Sequence, residues 1–236
     1  MGTDREKIKE HTTEKTTEKA IKVTENKEPE KLSRAEKKEQ QLQAIYQMIE
    51  EKGGIAKTAE LATLGIDYRR LQQFVSEGKL ERVKSGYYSA GFREKPEESM
   101  IPVLFPDGVL CMETALYYHG YLKERPYVWH IAIDKNTSKS RFKMDYPIVQ
   151  PYYSEPSVLE LGVTSVELAG QQMKIYEKER VICDCLKYED KMDRVCLKRG
   201  LLGFLADGDK DIARLMKYAK ERRVVEKVRN RIGVWL

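Results

Sequence analysis

The pattern of hydrophobic and polar positions separates a polar N-terminal stretch from a patterned remainder. Residues 1–35 contain no aromatic residue, and acidic and basic side chains nearly balance there. The sequence TTEK occurs twice in tandem over 12–19. Such a stretch cannot bury enough apolar surface to offset the entropy lost on ordering it. The sequence therefore predicts a disordered, charged tail over residues 1–35.

Apolar residues recur at helical spacing after the tail. Ser33 and Glu36 have the spacing of a capping box, in which each side chain binds the backbone N–H of the other residue. Over 42–49 the apolar residues then follow the period of 3.6 residues. This pattern predicts a helix that begins near Ser33 and ends before Gly53-Gly54.

Two shorter helices and a hairpin are predicted next. One helix covers about Lys57–Thr63, and a second covers 67–77, where the first residue is an aspartate that can cap it. Leu80–Ala90 contains alternating apolar and charged residues and the turn signal Ser85-Gly86, which predicts a β-hairpin. Three helices and a hairpin over 36–92 are the layout of a winged helix-turn-helix.

A second, mixed domain is predicted over 99–236, after a charged, proline-containing linker at 93–98. Its first element is a helix over Glu113–His119. Strands are then predicted at 127–134, 147–153, 165–168 and 173–176, and helices follow 179 to the end. The predicted fold class is α+β, with an N-terminal winged helix-turn-helix followed by this mixed C-terminal domain.

The composition is that of a charge-rich and mildly basic chain. Of its 236 residues, 34% are charged and 41% are hydrophobic, and the formal net charge is +5. This balance permits a polyanionic partner but does not require one. The sequence has no run of about 18 apolar residues, which a membrane-spanning helix needs. It also lacks the apolar segment of a signal peptide, so we expect a cytoplasmic protein without membrane association.

The predicted helix over 67–77 is the candidate recognition helix, because the second helix of a helix-turn-helix enters the major groove of DNA. Arginine can pair bidentately with guanine and glutamine with adenine. Basic residues on a wing would contact the DNA backbone or minor groove. The predicted DNA-binding residues are Lys57, Thr58, Tyr68, Arg69, Arg70, Gln72, Gln73, Arg82 and Lys84. The alternatives are an ordinary solvated helix face and a winged domain that binds protein.

The C-terminal helices form a second basic region. Residues 214–231 contain eight lysines or arginines against two acidic residues, Glu221 and Glu226. A second polyanion-binding surface and a solvated helix face explain this pattern equally well.

Several metal-site and catalytic patterns fail when tested against the sequence. Asp207–Asp211 begins like a calcium loop, but Ile212 and Tyr218 occupy the positions that need glycine and glutamate. We expect Asp209 to cap the next helix instead. The sequence contains no P-loop, GxSxG or HExxH motif. No catalytic residue, cofactor or metal is therefore predicted.

The remaining reactive residues fit structural roles better than catalytic ones. The four cysteines form no CxxC pair, and we expect them to be reduced. His119 and His130 are far apart in sequence and are expected to be structural. A metal-dependent nuclease of a defence system stays as an alternative, with Asp107 and the Glu189-Asp190-Lys191 segment as its acidic residues.

Three stretches resemble the AbiEi family, the antitoxin component of type IV toxin–antitoxin (abortive infection) systems. They are Gly65–Tyr88, Pro106–Leu122, and Glu179–Met192 with the helical sequence that follows it. The resemblance implies a winged domain that binds and represses the promoter of its own operon. It also implies an AbiEi-like C-terminal antitoxin domain that counters a nucleotidyltransferase-type toxin, and it leaves open whether the two proteins form a complex.

The resemblance also indicates candidate antitoxin or interaction residues. Arg180 and Asp184 match the arginine and aspartate of the third stretch, where we expect a structural or interaction site and no catalysis. The full candidate set is Arg180, Asp184, Arg222, Arg223 and Lys227. The chain has Glu189-Asp190 where the resemblance leads us to expect an Arg-Asn pair, which reverses the local charge. The sequence thus predicts a DNA-binding repressor and antitoxin without a cofactor, and not an enzyme.

Overall fold

A computed structural model describes residues 33–91 and 94–233. The chain divides into two compact units, Met1–Leu42 and Gln43–Leu236, and each is described by itself. All of the predicted tail except its last three positions lies outside the described residues, as does Arg93 of the predicted linker.

The described part of the chain is a mixture of helices and strands, which confirms the predicted α+β class. The helices are α1 Arg34–Glu51, α2 Thr58–Ala62, α3 Tyr68–Ser76, α4 Glu97–Leu104, α5 Met112–Tyr118, α6 Pro156–Leu159, α7 Lys178–Lys187, α8 Arg194–Ala206, α9 Ile212–Arg222 and α10 Val225–Ile232. The strands are β1 Ala56–Lys57, β2 Glu81–Lys84, β3 Tyr87–Ser89, β4 Val109–Leu110, β5 Trp129–Asp134, β6 Val149–Ser154, β7 Val163–Leu168 and β8 Gln171–Tyr176. Among the helices described, none combines the length and apolar character needed to cross a lipid bilayer.

Helix α1 begins with the predicted capping box. The backbone N–H of Ser33 donates to Glu36 Oε2 at 2.7 Å, and the N–H of Glu36 donates to Ser33 Oγ at 3.2 Å. These bonds satisfy donors that the first helical turn leaves without an intrahelical partner. The helix ends at Glu51, just before Gly53-Gly54, where the φ angles are +77° and +99°.

The segment that follows α1 has the helices and hairpin that the sequence predicts. Asp67 caps α3, because its carboxylate accepts the N–H of Arg70 at 2.7 Å. Strands β1, β3 and β2 form a small antiparallel sheet in that order. The hairpin of β2 and β3 is called the wing, and its turn contains Gly86 at φ +80°, a conformation that glycine adopts without steric cost. Helices α1 to α3 and this sheet form the winged helix-turn-helix layout.

A five-stranded mixed sheet organises the second half of the chain. Its strand order is β6-β5-β4-β8-β7. Strand β5 runs parallel to β6, and β4 runs parallel to β8, while the β4–β5 and β7–β8 pairs are antiparallel. Helix α7 contacts both α5 and α9. The central strands contribute fully buried residues such as Val109, Leu110 and Ile131 to the core.

Helix α4 lies partly where the sequence predicts a linker. Glu97 and Glu98 belong to its first turn, and Met100, Ile101 and Leu104 are fully buried. The Glu97 carboxylate is also buried and accepts the indole N–H of Trp129 at 2.7 Å. Charged residues at a helix start resemble a linker in sequence, and the partner that satisfies Glu97 lies far away in the chain.

The N-cap of α9 is Asp211, so the prediction that Asp209 caps this helix is wrong. The Asp211 carboxylate accepts the N–H of Arg214 at 2.9 Å. The backbone N–H of Asp209 instead donates to Asp207 Oδ1 at 2.8 Å. Several aspartates within five residues offer alternative caps, and the packing of α9 decides which one is used.

Candidate nucleic-acid interface

Helix α3 presents a polar face opposite a fully buried one. Leu71 and Phe74 have no exposed surface. The helical period therefore turns Tyr68, Arg69 and Gln73 outward, and all three are exposed. Tyr68 is 57% exposed, which is unusual for a large aromatic side chain. An exposed tyrosine and arginine thus occupy the N-terminal turn, the part of a recognition helix that meets base edges.

The polar face of α3 contains a short chain of side-chain hydrogen bonds. Arg70 Nη1 donates to Gln73 Oε1 at 2.8 Å, and Gln73 Nε2 donates to Glu77 Oε1 at 2.9 Å. Arg69 takes no part in this chain and has no side-chain hydrogen bond or ion pair with any residue that the structure describes. Arg69 is therefore the arginine of α3 whose full set of donors faces solvent.

Gln72 differs from the other polar residues of α3 because it binds the wing. Its Nε2 donates to Tyr88 Oη at 3.2 Å. Tyr88 lies on β3 and is only 1% exposed, so its ring is fixed in the core of this small sheet. The contact fixes the position of α3 relative to the hairpin.

Three of the predicted residues lie on the small sheet or directly beside it. The backbone N–H of Thr58, at the start of α2, donates to the carbonyl of Gly86 in the wing turn at 2.9 Å. Lys57 Nζ lies 6.0 Å from the ring centroid of Tyr87. Arg82 is exposed on β2 and donates to Ser85 Oγ at 3.3 Å. The start of α2 and the hairpin therefore offer backbone and basic groups on neighbouring elements.

Lys84 is placed differently, with its ammonium directed toward α4. Its Nζ donates to the carbonyl of Leu104 at 2.9 Å and lies 4.4 Å and 4.5 Å from the ring centroids of Tyr87 and Phe105. Burial, and then the positive charge of Arg141, lower the pKa of Lys84 to about 8. This lysine holds the wing strand against α4, so the prediction that it also meets DNA stays a prediction.

Two acidic residues of the nuclease alternative, Asp107 and Glu189, are bound to basic partners. Arg141 Nη1 donates to Asp107 Oδ2 at 2.7 Å, and this hydrogen bond lowers the pKa of Asp107. Glu189 pairs with Lys227 and Arg231 at 2.9 and 3.0 Å. Within 33–91 and 94–233, no three histidine, cysteine, aspartate or glutamate side chains lie together as a metal site would require.

Three of the predicted interaction residues form a buried charged cluster between α7 and α9. Asp184 accepts from Arg180 Nε at 3.0 Å and from Arg222 Nε at 2.5 Å. Arg180 Nη1 also donates to the carbonyls of Val158 and Leu161. Arg180 is fully buried, and Asp184 and Arg222 are 4% and 5% exposed. The cluster therefore holds the core together and presents little surface to a partner.

Arg223 and Lys227, by contrast, lie at the surface. Arg223 is exposed and follows α9 in the left-handed conformation, at φ +57°. Lys227 Nζ donates to the carbonyl of Leu186 at 2.9 Å and pairs with Glu189. The unexpected Glu189 thus partly neutralises the basic helix α10.

The histidines and cysteines occupy packed positions. His119 Nε2 lies 2.7 Å from the carbonyl oxygen of Tyr176. His130 Nδ1 lies 3.2 Å from Thr114 Oγ1, and burial lowers the pKa of His130 to about 4. All four cysteines are free; Cys111, Cys183 and Cys185 are buried, and Cys196 is half-buried. These environments agree with the structural roles that the sequence predicts.

Sequence reasoning missed the residues that anchor the wing. Leu104, Phe105 and Arg141 surround Lys84, but they are distant from it in the chain. No local pattern connects them, since a single lysine near a hairpin has the same appearance whether it faces solvent or α4. Only the apolar run over 100–105 indicates that this neighbouring segment is buried.

Comparison with known proteins links this geometry to one family. The family model described as "Transcriptional regulator, AbiEi antitoxin" matches residues 43–90. The match runs from the second half of α1 to the end of the wing and confirms, over this segment, the resemblance seen in the sequence. It supports a role as an antitoxin-type regulator. No curated protein matches the chain.

Proposed function

We propose that the chain is a DNA-binding transcriptional repressor that autoregulates its operon and serves as the antitoxin of a type IV toxin–antitoxin system. One observation carries the proposal: the segment that matches the AbiEi regulators, 43–90, is also the segment in which α3 and the wing expose basic side chains. Its partners would be the double-stranded DNA of its own promoter and a nucleotidyltransferase-type toxin. The proposal assigns the chain no catalytic step.

In the proposed complex, α3 lies in the major groove and the wing contacts the DNA backbone. Tyr68, Arg69, Arg70 and Gln73 are exposed or half-buried on the outer face of α3, where side chains reach base edges. Phosphate contacts come from Lys57, Thr58 and Arg82. Gln72 holds the wing against α3, and Lys84 holds it against α4. Both residues therefore position the wing for DNA binding.

Fluorescence-anisotropy titration of labelled DNA from upstream of the gene tests the DNA contacts. Changing Arg69→Ala should weaken binding by about 1–3 kcal/mol if this arginine pairs with a base, and should relax selectivity at one position. Arg82→Ala should weaken binding to all sequences alike. It should also reduce the slope of log K against log salt concentration by about one, because one phosphate contact is lost. Both side chains are exposed, so neither change should disturb the fold.

The matched control removes another exposed arginine, outside the winged segment. Arg194 begins α8, outside the matched segment, and Arg194→Ala lowers the net charge by the same amount. We expect this variant to bind the upstream DNA like the unchanged protein. If Arg69→Ala and Arg82→Ala also bind the DNA like the unchanged protein, then α3 and the wing do not form the DNA interface. That result would favour a winged domain that binds protein.

The antitoxin part of the proposal concerns the basic C-terminal surface. Arg180, Asp184 and Arg222 are buried, so they would act by holding α7 and α9 in place. Arg223 and Lys227 would then be the groups that a toxin or its substrate meets. This half of the proposal rests on the antitoxin description of the matched family.

Co-expression with a nucleotidyltransferase-type toxin encoded next to the gene tests this part. Growth should be rescued by the full chain and also by its Arg69→Ala variant, because rescue would depend on the C-terminal part. If the Arg69→Ala variant fails to rescue growth, the chain would counter the toxin only by repressing transcription of the operon. Co-purification of the two proteins would decide whether a complex forms.

A further inference from the structure

A polar cleft runs along the edge strand β6 of the five-stranded sheet. It consists of two adjoining hollows of about 490 and 360 Å³, which share the side chains of Tyr153 and Tyr188. We call the two together the β6 cleft. One hollow is lined largely by aromatic rings, and we call it the aromatic hollow; the other has four bases and two acids in its lining, and we call it the cationic hollow. The volumes are in the range of about 300–1,000 Å³ that is usual for small-molecule sites.

The aromatic hollow offers flat rings and hydrogen-bonding groups. The rings of Tyr152 and Tyr188 meet edge to face at 5.4 Å, and His130 lies 6.0 Å from Tyr152. The amide of Gln150 and the ammonium of Lys191 are exposed at the same hollow. Tyrosine rings bind a planar heteroaromatic ring by stacking, and the neighbouring polar groups can bind its edge.

The cationic hollow lies where the parallel strands β5 and β6 end. Lys135 directly follows β5, and Lys187 is the last residue of α7. Arg222 and Arg223 reach the same hollow from the end of α9. Ligands of α/β sheets commonly bind outside the carboxyl ends of parallel strands. Here four bases lie at that position, together with Glu155 and Glu221.

Positive charge exceeds negative charge at this hollow. Lys135 is balanced by Glu155, with which it pairs at 2.8 Å. Asp184 is the carboxylate between Arg180 and Arg222, so it is shared by two guanidinium groups. Partial burial, and then the charge of Arg222, lower the pKa of Lys187. Glu221 is the remaining acid at the hollow, and an anion would balance the excess.

We propose that the β6 cleft binds a nucleoside phosphate. The base would stack in the tyrosine hollow, and the phosphate would be bound by Lys187 and Arg223, while the buried Arg222 adds positive charge behind them. Tyr188, which both hollows share, would lie between the two parts of the ligand. This site is separate from α3 and the wing, so it does not depend on the proposed binding of double-stranded DNA.

Isothermal titration calorimetry of the full chain with ATP, GTP, CTP and UTP tests the proposal. Inorganic triphosphate and a single-stranded tetranucleotide serve as comparison ligands. We expect at least one nucleotide to bind more tightly than triphosphate, because stacking adds to the phosphate contacts. Tighter binding of the tetranucleotide would identify a strand of nucleic acid as the source of the ligand, and tighter binding of a free nucleotide would identify a metabolite.

Three variants locate the site. They are Lys187→Gln, Arg223→Asn and Tyr188→Leu, and asparagine is chosen because it tolerates the left-handed backbone at position 223. Each should weaken nucleotide binding by about tenfold, as expected for a lost charge-assisted contact or stacking partner. The matched control is Lys220→Gln, an exposed base of α9 outside the cleft, which should bind like the unchanged chain.

Three results would overturn the proposal. One is the absence of measurable binding of any nucleotide or of the tetranucleotide at about 1 mM ligand, an affinity too weak for a dedicated site. Another is equal affinity for triphosphate and nucleotide, which would leave an anion site without base recognition. The last is unchanged nucleotide affinity in all three variants, provided that their circular dichroism shows the native fold.

Discussion

Lys84 on the wing strand β2 donates a hydrogen bond to the carbonyl oxygen of Leu104 at the end of α4, at 2.9 Å. Its ammonium also lies over the rings of Tyr87 and Phe105. The residues that match the AbiEi regulators end at 90, so α4 lies beyond them. The orientation of the wing is therefore set partly by contacts with a part of the chain outside the matched segment.

Changing Lys84→Met should separate anchoring from DNA contact. Methionine keeps the aliphatic packing but removes the ammonium that faces α4. We expect the salt dependence of DNA binding to stay unchanged in this variant, whereas Arg82→Met should reduce it by about one ion. Anisotropy titrations at several salt concentrations measure this slope. A slope for Lys84→Met that falls as far as that for Arg82→Met would show that Lys84 reaches phosphate.

The lowered pKa of Lys84, about 8 against an ordinary 10.5, predicts a pH dependence of stability. Between these two values the unfolded chain binds a proton that the folded chain does not, so the contribution of Lys84 to stability rises as pH rises. Urea denaturation at pH 7 and pH 9.5 should therefore show the unchanged protein gaining stability relative to Lys84→Met. A difference independent of pH would contradict the burial of this ammonium.

Asp184→Asn should be among the most destabilising single changes at a polar residue. The substitution leaves two buried guanidinium groups, those of Arg180 and Arg222, without their shared carboxylate. Breaking a buried ion pair in this way costs about 3–5 kcal/mol. The control is Asp190→Asn on an exposed turn, which should change the free energy of unfolding by less than about 0.5 kcal/mol. Equal stability of the two variants would contradict the role of the buried cluster.

Asp207 should stabilise the fold in a pH-dependent way. Its carboxylate accepts from Tyr121 Oη at 2.6 Å and from Lys178 Nζ at 2.9 Å, and these bonds lower its pKa to about 2. The stabilisation is complete above the ordinary pKa of 3.8 and is lost as pH falls from there toward 2. Asp207→Asn should cost about 1–2 kcal/mol at pH 7, given the charge-assisted bonds it loses.

Urea denaturation at pH 7 and at pH 3 measures the Asp207 effect. The stability difference between the unchanged protein and Asp207→Asn should shrink at the lower pH, because the carboxylate of the unfolded chain is then largely protonated. A difference that grows on acidification would contradict the lowered pKa. Asp209→Asn is the matched control, since its side chain is exposed in the same turn.

Glu189→Gln should have a small effect, although the residue pairs with two bases. Lys227 and Arg231 are partly exposed, and ion pairs of this kind contribute about 0–1 kcal/mol. The loss should be smaller still at high salt, which screens the interaction. Thermal unfolding at low and high salt measures it. A large, salt-independent loss would mean that Glu189 supports the fold in another way.

Local signals in the sequence predict the elements of the winged segment well. The capping pair Ser33 and Glu36, the cap at Asp67 and the turn at Gly86 each depend on residues within a few positions of one another. The inward positions Leu71 and Phe74 follow directly from the helical period. These features are therefore visible without knowledge of the tertiary structure.

The contacts that decide side-chain roles could not be predicted in this way. Lys84 faces α4 because Leu104 and Phe105 pack beside the wing, and Arg222 is buried because Asp184 lies opposite it. In sequence, both bases have the appearance of solvated charges. For the same reason the sequence pattern predicts a linker at the first turn of α4, since the buried partner of Glu97 is a distant tryptophan.

The most direct test of the proposed function is a titration of the purified chain against DNA from upstream of its own gene. The same titration with a scrambled duplex, at two salt concentrations, separates sequence selectivity from charge. We predict selective binding that survives excess scrambled competitor and weakens steeply with salt, because phosphate contacts dominate affinity. Weak and equal binding to both duplexes would contradict a repressor of its own operon.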